Sequence, residues 1–153
     1  MTVRVSVRSF NHAALPIGDV GPARRFYGEV LGLVELERPA SFDFPGAWFL
    51  AGEVELHLIG EPDPTRRGSA LAEWTGGPRR RFSPHLAVEV DDLGETERHL
   101  RAHDVPIVGE PRDRGDGALQ MYATDPDGHV LEFFVPAARA AGDSTGLVAE
   151  RAH

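Results

Sequence analysis

The sequence predicts an α+β fold built from two βαβββ modules. A segment near the N-terminus, FNHAALPIGDV, returns later as SPHLAVEVDDL, so that His12 and His85 correspond at an offset of 73 residues. A gapless internal repeat of this kind indicates two copies of one supersecondary unit. A helical pattern and three short strand candidates follow each copy. The further matched pairs in this register are Leu15 with Val88, Asp19 with Asp92, Val20 with Leu93, Gly21 with Gly94 and Val34 with Ile107.

The first module opens with the alternating, strand-like run FNHAALPI, which leads into Asp19, a residue type that favours a helix N-cap. Gly32 is a candidate for the position just beyond the helix C-terminus. Three strands are then predicted in LVELERP, AWFLAG and VELHLIG. Between Asp19 and Gly32, apolar residues recur at helical spacing, namely Val20, Ala23, Phe26, Tyr27, Val30 and Leu31.

The second module repeats this order. PHLAVEV alternates and leads to Asp92, and a more polar helix follows in which Leu93, Thr96 and Leu100 are expected to face the core, with His103 as a further candidate. Strands are predicted in VPIVGEP, ALQMYATD and HVLEFFVP. The clearest turn is DPDG at residues 125–128.

The predicted organisation is one domain over residues 1–136. This domain comprises two modules, at about 8–60 and 82–136, joined by a linker at 61–81. A tail at 137–153 follows the domain and is expected to form a short helix or a frayed end. The 41% hydrophobic and 26% charged content is typical of a globular protein with a core.

The bulk composition also excludes several classes of function. A net charge of −8 argues against nucleic acid as a partner, and no apolar run is long enough to span a membrane. No signal-peptide pattern opens the chain, so a cytoplasmic location is expected. There are no cysteines, which excludes disulfides and thiolate metal ligands.

Strand parity gathers ionisable side chains on one face of four predicted strands. Because side chains alternate along a strand, the apolar residues face the helices. The opposite face carries His12, His85, Glu132 and either His57 or Glu55. Imidazole and carboxylate donors without thiolate suit a divalent metal such as Zn, Ni, Fe, Mn or Co. The pattern therefore predicts a metal site.

The motifs NHAAL, RRFYGEVLGL, PHLAVEVDD and DPDGHVLEFF together resemble the vicinal oxygen chelate superfamily, which includes glyoxalase I, bleomycin-resistance proteins and dihydroxybiphenyl dioxygenases. The resemblance covers about residues 8–136. It implies paired βαβββ modules that form a metal-binding cup, commonly in a homodimer. It also implies His12, His85 and Glu132 as metal ligands. His57 is the preferred fourth ligand, and Glu55 is the alternative, either as ligand or as base.

The resemblance leaves three functions open. The first is a glyoxalase-like isomerase or lyase that acts on a small molecule with vicinal oxygens through a metal-stabilised enediolate, with Glu132 or Glu55 as base. The second is an Fe(II) extradiol-type ring-cleaving dioxygenase, because two histidines and Glu132 make a facial triad and Tyr122 shares the parity of Glu132 as an acid-base candidate. The third is a bleomycin-resistance-like binding protein. Under each of them, Phe42, Phe44 and Trp48 are candidates for an apolar substrate pocket.

Overall fold

A computed structural model describes residues 5–63 and 84–140. These residues fall into two compact units, called here the first unit (5–63) and the second unit (84–140). The remaining residues, which include most of the predicted linker at 61–81 and the tail beyond residue 140, lie outside the described ranges. Among the described residues, each unit has four strands with a helical segment between the first and second of them, which confirms the predicted βαβββ fold class.

The first unit is a four-stranded mixed sheet with the strand order β1-β4-β3-β2. Strands β1 and β4 run parallel, whereas the pairs β3–β4 and β2–β3 are antiparallel. A parallel pair needs a crossover connection, and here the helical segment and two strands provide it. Its elements are β1 His12–Ile17, α1 Val20–Arg24, a π-helical segment Arg25–Val30, β2 Val34–Leu36, β3 Gly46–Ala51 and β4 Val54–Gly60.

The helix of the first unit differs from the plain α-helix that the sequence predicts. Its N-cap is as expected, since the Asp19 side chain accepts from the Gly21 amide at 2.8 Å. Its second half is π-helical, and the Leu31 amide donates to the Phe26 carbonyl at 2.9 Å. The consecutive residues Phe26 and Tyr27 are both buried there. The spacing of apolar residues predicts which side chains are buried but does not reveal this extra residue per turn.

The second unit repeats the topology of the first, with the order β5-β8-β7-β6 and a parallel β5–β8 pair. Strand β6 is irregular, with register shifts on either side of Gly109 in its pairing with β7. The helix α2 begins at the N-cap Asp92, whose side chain accepts from the Glu95 amide at 2.6 Å. The elements are β5 His85–Glu89, α2 Leu93–Ala102, β6 Ile107–Asp113, β7 Leu119–Thr124 and β8 Val130–Val135.

The helix-facing side of each sheet is apolar and buried, as parity predicts. Leu56 and Leu58 are buried in the first unit, and Leu131, Phe133 and Val135 are buried in the second. This packing leaves the opposite face of each sheet to the polar residues.

One predicted core residue is wrong. In α2, Leu93 and Leu100 are buried, but His103 is exposed because it lies at the C-cap, where its ring contacts the His99 carbonyl oxygen at 2.9 Å. Across the two described ranges, no helix has both the length and the apolar character that a membrane crossing requires.

Candidate functional site

The polar face of the first unit brings His12 and His57 together. In the parallel β1–β4 pair, His12 lies opposite Glu55 and Ala14 lies opposite His57. The two imidazole rings stack with centroids 4.2 Å apart and planes 11° from parallel. The structure therefore places two of the predicted metal ligands in direct contact.

Hydrogen bonds orient both rings. His12 Nδ1 lies 2.8 Å from the Asn11 side-chain oxygen, which can only accept, so Nδ1 donates in this contact and Nε2 is the nitrogen that could bind a metal ion. His57 Nε2 lies 2.7 Å from a Glu55 carboxylate oxygen. Because a carboxylate partner fixes the tautomer of a metal-binding histidine, Glu55 has the position of an orienting group for His57.

The three predicted pocket aromatics extend from His57. Trp48 pairs with His57 across β3 and β4, and their rings stack at 3.9 Å and 2°. Phe42 contacts Trp48 edge to face at 5.0 Å, and Phe44 contacts Phe42 at 5.7 Å. Arg38 fixes the loop that carries both phenylalanines. The structure therefore forms one apolar wall from all three predicted aromatics, and His57 lies at one end of this wall.

Arg38 fixes that loop through backbone carbonyls. Its guanidinium donates to the carbonyl oxygens of Phe42, Phe44 and Gly46 at 2.7–3.1 Å, and it lies 5.0 Å from the centre of the Phe44 ring. Three bonds from one planar group hold the loop in a single conformation. Arg38 was not among the residues that the sequence singled out, because its partners are backbone atoms of a loop without periodicity.

The polar face of the second unit brings His85 and Glu132 together. His85 Nε2 lies 2.9 Å from Glu132 Oε2. Glu132 is only 5% exposed, and its other oxygen, Oε1, has no hydrogen-bond partner among the described residues. A buried carboxylate oxygen without a hydrogen bond lowers the stability of the folded protein, so its presence here points to a role other than folding.

Tyr122 stands beside this pair. It lies opposite Glu132 in the β7–β8 register, and its ring contacts that of His85 edge to face at 5.6 Å. Its hydroxyl donates to the Gln120 side-chain oxygen at 3.3 Å. Burial raises the pKa of Tyr122, and the Glu132 carboxylate acts in the same direction, whereas Arg112 opposes it. The phenol is therefore neutral near pH 7.

The absence of a side chain at Gly109 leaves room for the Tyr122 ring. A Cβ at residue 109 would lie 2.8 Å from Cδ2 and 3.2 Å from Cβ of Tyr122, which is closer than such atoms approach. We expect Gly109→Ala to displace Tyr122 from His85 and to destabilise the protein by about 1–3 kcal/mol, the usual cost of overpacking.

This effect can be measured by NMR of protein with labelled tyrosine, because the chain contains only two tyrosines. Gly94→Ala in α2 is the control, since a Cβ there meets only ordinary contacts. A Gly109→Ala spectrum in which the Tyr122 signal is unmoved would contradict the packing argument.

The internal repeat relates the two faces. His57 lies opposite Ala14, two residues after His12, and Glu132 lies opposite Ala87, two residues after His85. His57 and Glu132 are therefore equivalent in the two units. By the same register, Trp48 corresponds to Tyr122. This equivalence favours His57 over Glu55 at the fourth predicted ligand position.

Two arginines on the second unit were not among the residues that the sequence singled out. Arg112 lies opposite Gln120 in the β6–β7 register, with its guanidinium 5.8 Å from the centre of the Tyr122 ring. Arg114 Nη1 lies 3.7 Å from Glu132 Oε1, and Asp116 binds the same guanidinium at 2.6–3.2 Å. This contact lowers the pKa of Asp116 to about 2, so the carboxylate stays ionised.

The donor groups fit a divalent metal ion. His12 presents an oriented nitrogen, and Glu132 presents a buried oxygen without a hydrogen bond, which are the features of prepared ligands. Each unit carries two of the four predicted donors. Within residues 5–63 and 84–140, no three His, Asp or Glu side chains already lie close enough together to hold a metal.

Comparison with known proteins identifies the family. The model of the Glyoxalase/Bleomycin resistance protein/Dioxygenase superfamily matches residues 9–133. The chain belongs to this superfamily. Two similar relatives of this superfamily protein are Glyoxylase I 4 of Arabidopsis thaliana, 27% identical over 81% of this chain and 68% of the relative, and lactoylglutathione lyase of Neisseria meningitidis, 30% identical over 80% of this chain and 86% of the relative.

A solved structure supports the same assignment. The glyoxalase family protein from Bacillus anthracis is 25% identical to this superfamily member and has a TM-score of 0.65. The match covers 87% of this chain and 98% of that chain. The family resemblance of the sequence motifs and the fold class of paired βαβββ modules are thus confirmed.

Proposed function

We propose that this protein is a divalent-metal-dependent enzyme of the glyoxalase-like isomerase or lyase class that acts on a small molecule with vicinal oxygens. The observation that carries the proposal is Glu132, which is buried, in contact with His85 through one oxygen, and without a hydrogen bond on the other. An ion of Zn, Ni, Fe, Mn or Co is the group that such an oxygen fits. The proposed ligands are His12, His57, His85 and Glu132.

A bound cation would act as a Lewis acid on the substrate oxygens, an effect worth several kcal/mol of charge stabilisation. The chain itself must then move a proton between adjacent carbon atoms. Glu55 is the favoured base because its side chain is 33% exposed, whereas that of Glu132 is 7% exposed and is assigned to the metal. The proton that Glu55 removes from one carbon returns to the next, so the isomerisation has no net proton change.

The remaining parts of the proposal concern binding. Phe42, Phe44 and Trp48 form an apolar wall that continues the His12–His57 stack, and we propose that it contacts the apolar part of the substrate. A homodimer and a cytoplasmic location stay predictions.

Tyr122 supports a second candidate function, ring cleavage by an Fe(II) dioxygenase. Its ring contacts His85 and its strand position faces Glu132, which is where an acid-base phenol would be needed. The similarity to two relatives named as glyoxylase and lactoylglutathione lyase favours the lyase class.

The test is a turnover assay of the metal-loaded protein. We expect isomerisation of the adduct of a 2-oxoaldehyde with glutathione, or with another low-molecular-weight thiol, into the thioester, and we expect a chelator to abolish it. Oxygen consumption with a catechol and Fe(II) tests the second candidate in parallel. Oxygen-dependent ring cleavage without thioester formation would replace the first proposal by the second, and binding without any turnover would contradict both.

A further inference from the structure

The β6–β7 hairpin holds Arg114 beside Glu132 in a fixed position. The Arg114 guanidinium lies over the Phe134 ring at 5.4 Å, and Asp116 engages its Nε and Nη2 atoms. Asp116 is in turn fixed by the Ala118 amide, which donates to it at 3.1 Å. The Arg114 amide donates to the Ala118 carbonyl at 2.7 Å and closes the hairpin. A guanidinium held on several sides is oriented before any ligand arrives.

The third nitrogen of this guanidinium, Nη1, lies 3.7 Å from Glu132 Oε1, which is too long for a hydrogen bond. The charge of Arg114 is therefore placed next to the proposed metal ligand without being fully engaged by it. Its side chain remains 38% exposed, so a bound molecule can reach it.

The second unit places two arginines, Arg112 and Arg114, beside Tyr122 and Glu132, although the chain carries a net charge of −8. Arg112 adds a second exposed guanidinium over Tyr122, and Asp116 balances only one of the two arginines. Once the Glu132 charge is shared with a divalent cation, as the proposed function requires, positive charge predominates on this face. Such a face favours an anionic ligand group over a neutral one.

Resting on the proposed function, we propose that Arg114, assisted by Arg112, is an anion-binding subsite beside the metal centre, so that the substrate carries a carboxylate or phosphonate in addition to its vicinal oxygens. The subsite would orient the substrate by a charged contact on the second unit. It would also select against neutral substrates, because they offer no charge to pair with the Arg114 guanidinium.

The test compares matched probes by calorimetry on Ni(II)- or Zn(II)-loaded protein. Acetohydroxamate offers vicinal oxygens alone, whereas N-hydroxysuccinamate and N-hydroxyglutaramate add a carboxylate at two reaches, and their phosphonate counterparts add a different anion. We expect an anionic probe to bind at least about 10-fold more tightly than acetohydroxamate at low salt, and we expect this preference to shrink as ionic strength rises. The preferred anion identifies the substrate group.

Arg114→Met is expected to remove the preference, which is measured as the ratio of anionic-probe affinity to acetohydroxamate affinity in the same variant. Arg114→Lys keeps the charge and should therefore keep part of the preference for anionic probes. A partial preference in this variant would show that the loss in Arg114→Met is not a folding defect. Arg98→Met on α2 is the control, because that exposed side chain pairs only loosely with Glu95 at 3.8 Å. Equal binding of all probes to wild type would overturn the anion subsite and leave the metal site standing. Failure of every probe to bind would overturn the proposed metal site, and the subsite with it.

Discussion

Replacement of Glu132 by glutamine is expected to abolish tight metal binding and metal-dependent turnover without loss of stability. The substitution removes the only carboxylate among the four proposed ligands and keeps the size of the side chain. We expect metal affinity to fall by more than the roughly 10–100-fold that loss of an orienting partner costs. Titration of the purified apoprotein with Zn(II) or Ni(II) measures this change.

The stability of the same variant distinguishes a ligand from a structural ion pair. Glu132 is buried beside His85 and Arg114, and its Oε1 has no hydrogen bond among the described residues, so the folded apoprotein still bears part of the cost of burying this charge. We therefore expect Glu132→Gln to unfold within about 1 kcal/mol of wild type, or to be more stable.

Glu110→Gln is the matched control for this variant. That carboxylate is exposed, pairs with Arg101 at 2.8 Å, and should affect neither property. A Glu132→Gln protein that binds metal normally but is several kcal/mol less stable would show that Glu132 serves the fold.

The second large effect is expected at His57. His57→Ala should reduce metal affinity by more than about 100-fold, because a direct ligand is lost, whereas Glu55→Gln should cost about 10–100-fold through loss of the orienting hydrogen bond at 2.7 Å. If Glu55 is also the base, Glu55→Gln will lower kcat further than its metal affinity explains, when measured at saturating metal.

The decisive result is which substitution, at His57 or at Glu55, lowers metal affinity more. His57→Phe, which keeps an aromatic ring beside Trp48 but has no ligand nitrogen, controls for loss of the ring stack at 3.9 Å. A larger loss of metal affinity in Glu55→Gln than in either His57 variant would make Glu55 the ligand and His57 its partner.

Much of the fold follows from the sequence because it rests on local periodicity. The repeat that matches His12 with His85 predicts two copies of one topology, and both copies have it. Parity predicts that His12 shares a face with His57 and that His85 shares one with Glu132. Both pairs are in contact.

Strand periodicity does not distinguish His57 from Glu55 as the fourth predicted metal ligand, for a physical reason. The two residues are two positions apart in one strand, so parity places both on the same face. Only the pairing of β4 with the distant strand β1 shows that His57, opposite Ala14, is the counterpart of Glu132. Such pairing depends on long-range packing, which a single strand pattern does not encode.

Arg114, beside Glu132, was not predicted as a site residue for a related reason. Arg114 lies directly after β6, whose register shifts on either side of Gly109 interrupt the period of two, and its partner Asp116 lies in the following turn. Neither residue belongs to a periodic pattern. The spacing of Arg112 and Arg114, two residues apart before a glycine-rich turn, was the one local signal.

The metal content of the protein purified without chelator, measured for wild type, His57→Ala and Glu132→Gln, tests the proposed metal site most directly. We expect roughly one divalent ion per wild-type chain and a large deficit in both variants, with each variant still folded. A wild-type protein that takes up no Zn, Ni, Fe, Mn or Co under any reconstitution, or variants that keep the full metal content, would contradict it.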